Sequence, residues 1–445
     1  MLNNKEEKVL ILGLSKTGIA AAKYLNKHNK KCFITELNEK NENCLTDLKN
    51  AGIEVEIGKH SDEYIENADY AVASPGIPPT SEIFIKLKEK NIKVISEIEL
   101  ANKNTKTPFV SITGTNGKTT TTMLVSYILS SIYKSPVCGN IGVPPICLVD
   151  DKNDYLVCEV SSFQLENTEN FSSEIAIFTN FTPDHINYHG SLENYFKAKT
   201  KLFKNTKFAV FNAKDEKINE FAKNYNGEKF YFDDDNYKNA SYIKNNAIYF
   251  KQNNIEEKII NLDDIKLVGH HNYQNVMCSV IVAKILNVPN EKIQEKIKSF
   301  ESVEHRIELV KNVKKGTQKF YNDSKATNPE ATMVALKSFI GKKVTLLIGG
   351  RDKNTSLDEF CVDVKKYINN VVVFGEAKER FYNELEKSGY KNLHMTNKMY
   401  EAIDKAIDLN DEIVLLSPSC ASFDEFKSYE DRGIKFKEYV TNKLS

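Results

Sequence analysis

Short apolar runs alternate with amphipathic stretches along most of the chain, which predicts an α/β fold. Runs of four to six apolar residues that end at glycine or polar residues are typical of buried strands in a parallel sheet. Stretches with an apolar residue at every third or fourth position are typical of the helices that cover such a sheet. The pattern predicts strands at 8–12, 32–36, 52–57, 69–74, 93–96, 109–113, 155–159, 175–180, 208–211, 229–232, 247–250, 319–321, 344–348, 371–374 and 412–416.

The spacing of these elements predicts three domains in the 445 residues. A polar stretch at 101–107 is typical of a linker, and regular alternation of strand and helix resumes after residue 306. We therefore predict an N-terminal Rossmann-like sheet in 1–106 and a central α/β domain of the P-loop ATPase type in 107–305. A C-terminal Rossmann-like, doubly wound sheet is predicted in 306–445. The Asn-, Lys- and Asp-rich segment 205–262 is predicted to be a β-rich extension of the central domain.

The strand predicted at 109–113 leads into a glycine-rich turn that favours phosphate binding. Two glycines allow backbone N–H groups to surround an anion, and the helix that follows presents its positive N-terminal end to it. A lysine adds charge, and a threonine hydroxyl is a ligand that Mg²⁺ accepts. The first glycine of a full P-loop would fall at Ile112, so this is a compact form. The candidate phosphate-binding residues are Gly114, Thr115, Asn116, Gly117, Lys118, Thr119 and Thr120.

The alternative for this turn is an ordinary Gly/Asn turn before a helix. Strand, lysine, hydroxyl and helix occur together in the order that a phosphate loop needs, which favours a nucleoside triphosphate site.

Two polar residues of the central region, Glu159 and His185, are candidates for metal binding. Glu159 interrupts an apolar run, where a carboxylate is costly unless it meets a cation. Its place close to the predicted phosphate turn favours Mg²⁺, and an ion-paired structural glutamate is the alternative. His185 follows a predicted strand end next to Asp184, and its pattern alone favours an ordinary loop histidine. Lys199 lies on a lysine-rich helix whose pattern alone indicates a solvated basic face.

The first predicted strand, helix and strand resemble a dinucleotide-binding unit with an imperfect glycine pattern. Ser15 stands where the middle glycine belongs, so the pattern is weak evidence for NAD, and another diphosphate ligand would also suit the helix start. Two further turns are candidate ligand loops, at Ser74-Pro-Gly76 and around Asn140, although a plain surface turn fits the first equally well.

Composition narrows the possible partners. Sixty-one basic residues balance sixty-one acidic ones, so no net charge favours nucleic acid or an anionic membrane. The polar N-terminus does not resemble a signal peptide, and no apolar run reaches the roughly 20 residues of a membrane span. Eight scattered cysteines without a C-x-x-C pair are expected to be reduced, with Cys32, Cys158 and Cys278 in the core. We expect a cytoplasmic protein.

Three motifs resemble the Mur ligase family, and the resemblance covers essentially the whole chain. They are Gly-Thr-Asn-Gly-Lys-Thr at 114–119, Asp-Ser-Lys-Ala-Thr-Asn at 323–328, and Ser-Pro-x-x-Ala-Ser-Phe-Asp at 417–424. The last two point to the D-glutamate-adding branch. The resemblance implies an ATP-dependent amide ligase that adds D-glutamate to UDP-N-acetylmuramoyl-L-alanine through an acyl phosphate and releases ADP and phosphate. It also implies Mg²⁺, peptidoglycan precursor synthesis and a monomer that binds neither nucleic acid nor membrane.

The resemblance also implies roles for individual residues. Lys118, His185, Lys199 and Lys325 are the implied catalytic residues. Besides residues 114–120, the implied ATP contacts are Asn275, Arg306, Asp323 and Lys325. The implied metal ligands are Thr119, Glu159, His185 and a carbamylated Lys199. The implied contacts to the UDP substrate are Ser15, Lys16, Thr17, Glu36, Ser74, Gly76, Asn140 and His185. The implied D-glutamate contacts are Thr327, Lys353, Ser422 and Phe423.

Two positions depart from the family pattern. Glu36 stands where aspartate is common, and Arg351 lies in the Gly-Gly-Arg-Asp-Lys turn beside the implied glutamate site.

Other function classes remain as alternatives. A different Mur ligase shares the motifs, whereas a folate-polyglutamating relative lacks a first domain like 1–106. An NAD-dependent dehydrogenase is disfavoured by Ser15 in the glycine pattern. A non-catalytic nucleotide switch would not need Glu159, His185 and Lys325.

Overall fold

Three sheets form the framework of the protein. The computed structural model describes residues 7–39, 45–311, 313, 316–352 and 355–445. The strands are β1 (Lys8–Leu12), β2 (Lys31–Glu36), β3 (Glu54–Ile57), β4 (Tyr70–Ala73), β5 (Lys93–Ser96), β6 (Phe109–Thr113), β7 (Val137–Gly139), β8 (Leu156–Glu159), β9 (Ser173–Phe178), β10 (Thr206–Asn212), β11 (Glu228–Phe232), β12 (Ala240–Lys244), β13 (Ala247–Gln252), β14 (Ile255–Asn261), β15 (Glu308–Leu309), β16 (Lys319–Asn322), β17 (Val344–Gly349), β18 (Asn370–Phe374), β19 (Leu393–Met395) and β20 (Ile413–Leu416).

Helices connect and cover these strands. They are α1 (Lys16–Lys27), α2 (Leu45–Asn50), α3 (Asp62–Glu66), α4 (Glu82–Glu89), α5 (Glu97–Lys103), α6 (Lys118–Leu129), α7 (Ser162–Glu166), α8 (Ile186–His189), α9 (Leu192–Thr200), α10 (Glu216–Lys223), α11 (His270–Ile285), α12 (Asn290–Ser299), α13 (Pro329–Leu336), α14 (Asp358–Tyr367), α15 (Lys378–Lys387), α16 (Met399–Leu409) and α17 (Tyr429–Leu444).

The first sheet is a parallel Rossmann-like sheet, as predicted. Its strand order is β3-β2-β1-β4-β5, and every pair is parallel. The order reverses between β1 and β4, and open α/β sheets bind ligands at such a point, beyond the carboxyl ends of the strands. The turns that begin at Gly13 and Ser74 follow these two strands.

The central sheet has nine strands in the order β14-β13-β12-β11-β10-β9-β6-β8-β7. The neighbouring strands in the part β12-β11-β10-β9-β6-β8-β7 are all parallel. Strands β13 and β14 extend the sheet beyond β12 by antiparallel pairing. The β-rich extension predicted at 205–262 is therefore confirmed. The central strand β6 lies between β8 and β9, so their carboxyl ends share one edge.

The C-terminal sheet has the order β15-β16-β20-β17-β18-β19, and only the two-residue edge strand β15 is antiparallel. The four strands predicted here are confirmed, and the predicted α/β fold class is confirmed with them. The strands β15 and β19 were not predicted, because two or three residues carry too little periodicity to be recognised.

The chain separates into two compact units. One unit contains Met1–Leu262 with Gln274–Ile297, and the other contains Asp263–Tyr273 with Lys298–Ser445. The three predicted domain boundaries stay a prediction. The predicted linker at 101–107 is wrong in its first part, since α5 continues to Lys103 and Ala101 is fully buried in the core.

The cysteines of the described residues agree with the sequence analysis. Seven are free, and Cys32, Cys158 and Cys278 are buried as predicted. Burial raises the pKa of the Cys32 thiol to about 11. Within the described parts of the chain, every helix is too short or too polar to traverse a bilayer.

The carboxyl group of Glu97 is buried in the core of the first unit. Its Oε1 accepts a hydrogen bond of 2.8 Å from the backbone N–H of Ile146, in the 3₁₀ turn Pro145–Leu148. Its Oε2 is buried without a hydrogen-bond partner among the described residues. Burial raises the pKa of Glu97 to about 8, against the effect of the Ile146 bond, so the group is neutral at pH 7.

The raised pKa of Glu97 makes the stability of the fold depend on pH. The folded state retains the Glu97 proton to higher pH than the unfolded chain. The stabilisation is therefore complete below about pH 4.5 and is lost as pH rises through about 8. Glu97→Gln keeps a neutral side chain, so its free energy of unfolding should exceed the wild-type value by about 2–4 kcal/mol more at pH 9 than at pH 5. Urea denaturation at both pH values measures this difference. The exposed Glu63→Gln is the control, and a Glu97→Gln advantage that does not change with pH would contradict the assignment.

Candidate functional site

The turn predicted to bind phosphate lies between the carboxyl end of β6 and the start of α6. We call residues 114–120 the phosphate loop. Gly114 has φ 146° and Gly117 has φ 79°, so both use backbone conformations that side chains disfavour. A Cβ at Gly114 would overlap the hydroxyl of Thr179, which follows β9. Asn180 closes the loop from the same side, because its Oδ1 accepts a bond of 2.8 Å from the backbone N–H of Asn116. These contacts hold the turn in place at the N-terminus of α6, and a helix N-terminus favours anions.

Two lysine side chains converge on one carbonyl oxygen of this loop. The Nζ atoms of Lys118 and Lys199 donate to the oxygen of Gly114 at 3.0 and 2.7 Å. Lys199 is only 2% exposed, and its Nζ lies 4.6 Å from the centroid of the Tyr195 ring. Burial and the charge of Lys118 hold the pKa of Lys199 well below its usual value, although Asp184 and Glu159 act in the opposite direction.

The position of Lys199 corrects its sequence-based interpretation. The pattern of α9 alone indicated a solvated basic face, whereas Lys199 is buried beside the phosphate loop. The neighbouring Lys197 is exposed, so the helix presents one lysine to solvent and one to the loop. Burial and a lowered pKa favour the neutral, nucleophilic form of an amine over its ammonium form.

Glu159 supplies a carboxylate at the same edge of the sheet. It ends β8, where it pairs in register with Ile112 of β6, and it is 2% exposed. Its Oε1 accepts a bond of 2.8 Å from the Nδ2 of Asn140. Its Oε2 is buried and has no hydrogen-bond partner among the described residues. A buried carboxylate oxygen without a donor fits a divalent cation, because the ion would replace the missing partner.

His185 lies close to the two lysines, in an exposed turn after β9. Its backbone has the left-handed conformation with φ 52°, and its ring stands 4.8 Å from that of Phe163. Burial and the charges of Lys199 and Lys118 lower the pKa of His185, although Asp184 raises it. A neutral imidazole is the form that coordinates metal ions.

Asn275 also belongs to this group. It lies on α11, more than 150 residues from the loop, and its Oδ1 accepts a bond of 3.1 Å from the Thr121 hydroxyl. A Cβ at Gly117 would come within 2.7 Å of the same oxygen. The structure therefore brings together residues 114–120, Asn140, Glu159, His185, Lys199 and Asn275.

A second cluster of hydroxyl groups lies at the reversal point of the first sheet. The Ser15 hydroxyl donates to that of Ser74 at 2.7 Å and lies 2.7 Å from that of Thr17. Ser15 is also the N-cap of α1, so this cluster surrounds the start of a helix. Lys16 extends away from it and donates to the carbonyl of Gly142 at 2.5 Å, in the turn that carries Asn140.

The remaining residues predicted in this sheet lie at the same edge. Glu36 ends β2, and its carboxylate accepts bonds of 2.8 Å from the backbone N–H groups of Leu14 and Asn38. Gly76 lies in the exposed turn after β4 with φ 100°. Glu36 therefore shapes the turn after β1, which is a structural use for the residue that departs from the family pattern.

The C-terminal sheet presents its predicted residues along one edge as well. Asp323 follows β16 and is buried, and its Oδ2 accepts a bond of 2.7 Å from the hydroxyl of Ser417, which follows β20. Burial raises the pKa of Asp323 to about 7, although Ser417, Arg306 and the Ile307 N–H oppose this shift. Lys325 donates to the hydroxyl of Tyr429 at 3.0 Å.

The predicted glutamate contacts differ in exposure. Ser422 is buried and Thr327 is half-buried, whereas Phe423 is 60% exposed. Lys353 lies outside the described residues. Arg351, the second departure from the family pattern, is exposed and lies 3.4 Å from the Glu376 carboxylate.

Arg432 is a central residue of this edge that the sequence analysis missed. It is fully buried, and its guanidinium donates to the hydroxyl of Ser324 at 2.9 Å. It also donates to the carbonyl oxygens of Ser324, Gly349, Cys420 and Ala421 at 2.9–3.5 Å. These residues end a strand or follow one, so one side chain connects the segments at the carboxyl ends of β16, β17 and β20. Burial lowers the pKa of Arg432 to about 10, which leaves it charged at neutral pH.

One further group of side chains has the composition of a metal site. Glu304, His305 and Glu308 offer ligand atoms within 4.8 Å of one another. The Nζ of Lys437 is bonded to both carboxylates, at 2.5 and 2.9 Å. A lysine thus supplies the positive charge that a metal would supply, and the group is a structural ion-pair network.

The role of Arg432 predicts a large loss of stability when its donors are removed. Arg432→Met removes the guanidinium donors of the buried Ser324 and Cys420 carbonyl oxygens, so the free energy of unfolding should fall by about 3 kcal/mol. The exposed Arg351→Met is the control, and its loss should stay under about 1 kcal/mol. Urea denaturation of the full chain measures both changes. Equal losses in the two variants would show that the buried bonds of Arg432 do not hold the edge together.

Comparison with known proteins identifies the family. The Mur ligase MurD-like N-terminal domain matches residues 7–96, the Mur ligase middle domain matches 112–283, and the Mur ligase glutamate ligase domain matches 305–420. A UDP-N-acetylmuramoylalanine--D-glutamate ligase of Caldicellulosiruptor bescii is 37% identical over 456 residues, which cover 99% of both chains. A protein of the same name from Bacillus cereus is 38% identical over 447 residues, or 98% of both.

A solved structure shares the fold. The UDP-N-acetylmuramate-alanine ligase of Thermotoga maritima aligns with a TM-score of 0.59 at 18% identity, over 97% of this chain and 99% of its own. The fold, the domain matches and the full-length relatives agree with the motifs in the sequence, and they confirm the predicted resemblance. The chain belongs to the Mur ligase family.

Proposed function

We propose that this protein is an ATP-dependent ligase that joins D-glutamate to UDP-N-acetylmuramoyl-L-alanine, with release of ADP and phosphate. Relatives that carry this activity in their names match the chain from end to end at 37–38% identity. The observation that carries the proposal is the convergence of a phosphate loop, two lysines and a buried carboxylate oxygen at one sheet edge, an oxygen that has no hydrogen-bond partner in the described part of the chain. Such a set of groups suits phosphoryl transfer between two anions.

The reaction needs an activated carboxylate. A carboxylate oxygen is a poor leaving group, so an amine does not displace it in water. Transfer of the terminal phosphoryl group of ATP to the alanine carboxylate gives an acyl phosphate, and the amine of D-glutamate then displaces phosphate. The first step brings two anions together, and catalysis therefore depends on positive charge held in place before the reaction.

The phosphate loop would supply that charge. The backbone N–H groups of residues 114–120 and the N-terminus of α6 would bind the ATP phosphates. Lys118, which bonds to the carbonyls of its own loop in this structure, would turn its ammonium to the phosphates. Asn275, Arg306 and Asp323 would bind the nucleoside, and Lys325 a phosphate group.

Mg²⁺ fits the residues at this edge. Thr119 and Glu159 would hold one ion, and the unpartnered Oε2 of Glu159 supports that assignment. His185 and a carbamylated Lys199 would hold a second. When bound, Mg²⁺ would neutralise phosphate charge and stabilise the transferring group. The protein's own part is to fix these ligands, and Asn140 does so for Glu159 by its hydrogen bond to Oε1.

The surroundings of Lys199 support its proposed carbamylation. Only a neutral amine attacks carbon dioxide, and burial beside Lys118 favours the neutral form of Lys199. The carbamate is an anionic oxygen ligand, which Mg²⁺ prefers to an amine. Its negative charge would also attract the Lys118 ammonium.

The two other sheet edges would bind the remaining substrates. The hydroxyl cluster of Ser15, Thr17 and Ser74, with Lys16, Glu36 and Gly76, would bind the UDP part of the first substrate, and Asn140 and His185 its reacting end. Thr327, Lys353, Ser422 and Phe423 would bind D-glutamate. We propose that the enzyme acts as a cytoplasmic monomer.

The proposed reaction predicts strict dependence on both substrates. With ATP and Mg²⁺, ADP release should require UDP-N-acetylmuramoyl-L-alanine and D-glutamate together. Mixtures that lack either one should give less than about a tenth of the full rate, since the acyl phosphate is consumed only by the amine. A coupled ADP assay with D-glutamate, L-glutamate and L-alanine measures this. Equal turnover with L-glutamate or L-alanine would assign the enzyme to another branch of the family.

The proposed carbamate predicts a specific label on Lys199. Protein equilibrated with ¹³C-bicarbonate should show one carbamate carbonyl resonance by ¹³C NMR, and Lys199→Met should remove it. Lys197→Met, on the exposed face of the same helix, should leave it unchanged. The Lys199→Met variant should also lose at least about 100-fold in rate, because a metal ligand is missing. A resonance that persists in Lys199→Met would contradict the assignment.

A further inference from the structure

Lys325 is held at both its backbone and its side chain. Its backbone N–H donates to the carbonyl of His305 at 3.2 Å. Its Nζ donates to the hydroxyl of Tyr429 at 3.0 Å and lies 4.9 Å from the centroid of the same ring. The ring of His305 meets that of Tyr429 edge-on at 6.1 Å. The half-buried lysine therefore has a defined place beside Tyr429, although the two residues are 104 positions apart.

Tyr429 is a rigid support because its backbone is fixed. It is the first residue of α17, whose N-cap Ser428 accepts a bond from the Asp431 N–H. The hydroxyl of Ser324, the residue before Lys325, donates to the carbonyl of Tyr429 at 2.8 Å. Arg432, one turn further along the helix, donates to that hydroxyl at 2.9 Å. The loop that carries Lys325 and the helix that carries Tyr429 are thus bonded to each other independently of the Lys325 side chain.

The direction of the hydrogen bond between Lys325 and Tyr429 determines which further bonds the Tyr429 hydroxyl can make. An ammonium can only donate, so the Tyr429 oxygen accepts from Lys325 and its own proton remains to be donated. The neighbouring Glu430 carboxylate accepts from Tyr429. Burial by itself would raise the pKa of Glu430, but hydrogen bonds from Tyr429 and Ser428 and the charge of Lys325 hold it below its usual value. The phenol therefore lies between an ammonium and a carboxylate.

We propose that Tyr429 is a positioning residue for Lys325, whose hydroxyl holds the ammonium in the place where it meets a phosphate group. The proposal deepens the function given above and rests on the assignment of Lys325 as a phosphate contact. A lysine has a flexible four-carbon stem, and fixing it before the substrate binds removes an entropic cost from the reaction. An ammonium has three N–H donors, so the bond to Tyr429 is compatible with bonds to phosphate oxygens.

The phenol hydroxyl can be removed with little change in shape. Tyr429→Phe keeps the aromatic ring and its contacts with Lys325 and His305. It loses the hydrogen bond from the Lys325 Nζ. The expected result is a kcat about three- to tenfold lower, since the hydroxyl acts on the reacting phosphate through Lys325. The KM values for UDP-N-acetylmuramoyl-L-alanine and D-glutamate should stay within about twofold of wild type. The control is Tyr439→Phe, on the same helix, which removes a hydroxyl bonded to Asp404 and should leave kcat unchanged.

A second measurement tests how firmly the Lys325 side chain is held, and it does not depend on catalysis. Reductive methylation of the full chain, followed by peptide mass spectrometry, gives the rate at which Lys325 reacts. Loss of the hydrogen bond exposes the amine, so Tyr429→Phe should raise this rate at least about twofold, whereas Tyr439→Phe should not.

The two measurements separate failure of the proposal from failure of the proposed function. An unchanged methylation rate in Tyr429→Phe overturns the positioning role, whatever happens to kcat. A faster methylation with unchanged kcat also overturns it, because Lys325 would then be held without consequence for the reaction. If wild-type protein with both substrates releases no ADP, the proposed function fails, and with it the role assigned to Lys325. The methylation rate would then report only the hydrogen bond.

Discussion

The shared bond of Lys118 and Lys199 to the Gly114 carbonyl oxygen is the interaction on which the account depends. Two ammonium groups at one oxygen repel each other, and in a buried setting water does not screen that repulsion. Burial and the charge of Lys118 lower the pKa of Lys199, which favours its neutral form beside Lys118. Negative charge, on the proposed carbamate or on a bound phosphate, would complete this site.

The position of that oxygen follows from the fold. Strand β6 is central in its sheet, so the turn after it lies between the ends of β8 and β9. Thr179, after β9, leaves no room for a side chain at position 114, and Glu159 ends β8 beside the same turn. Parallel strands thus bring a glycine, a carboxylate and a hydroxyl to one edge, although they are far apart in sequence. The other two sheets collect their polar groups by the same rule.

Local patterns were enough to predict the framework and the phosphate loop. Apolar runs gave the main strands, and the glycines and lysine at 114–118 follow a strand and begin a helix as predicted. What local pattern could not give is the environment of a side chain that depends on distant parts of the chain. Lys199 has the sequence context of a surface lysine, and only the phosphate loop, 85 residues away, makes it a buried amine.

Local sequence patterns also could not predict the side-chain contacts at the edge of the C-terminal sheet. Arg432 lies in an amphipathic helix with many charged residues, and nothing nearby distinguishes it from a surface arginine. Its partners lie at or just after the ends of three strands, the most distant 108 residues away. The bond between Lys325 and Tyr429 is equally long-range. A buried charge satisfied by backbone carbonyls has no pattern in the sequence, because its partners are peptide groups that every residue has.

The central claim, that positive charge beside Gly114 creates the phosphate site, is tested most directly by calorimetric titration with ATP and Mg²⁺. Wild-type protein should bind ATP, and Lys118→Ala should weaken the affinity at least about tenfold, while the exposed Lys197→Ala leaves it unchanged. The affinity of wild type should also fall as salt is added, because the interaction is between charges. Equal ATP affinity in wild type and Lys118→Ala would contradict the account.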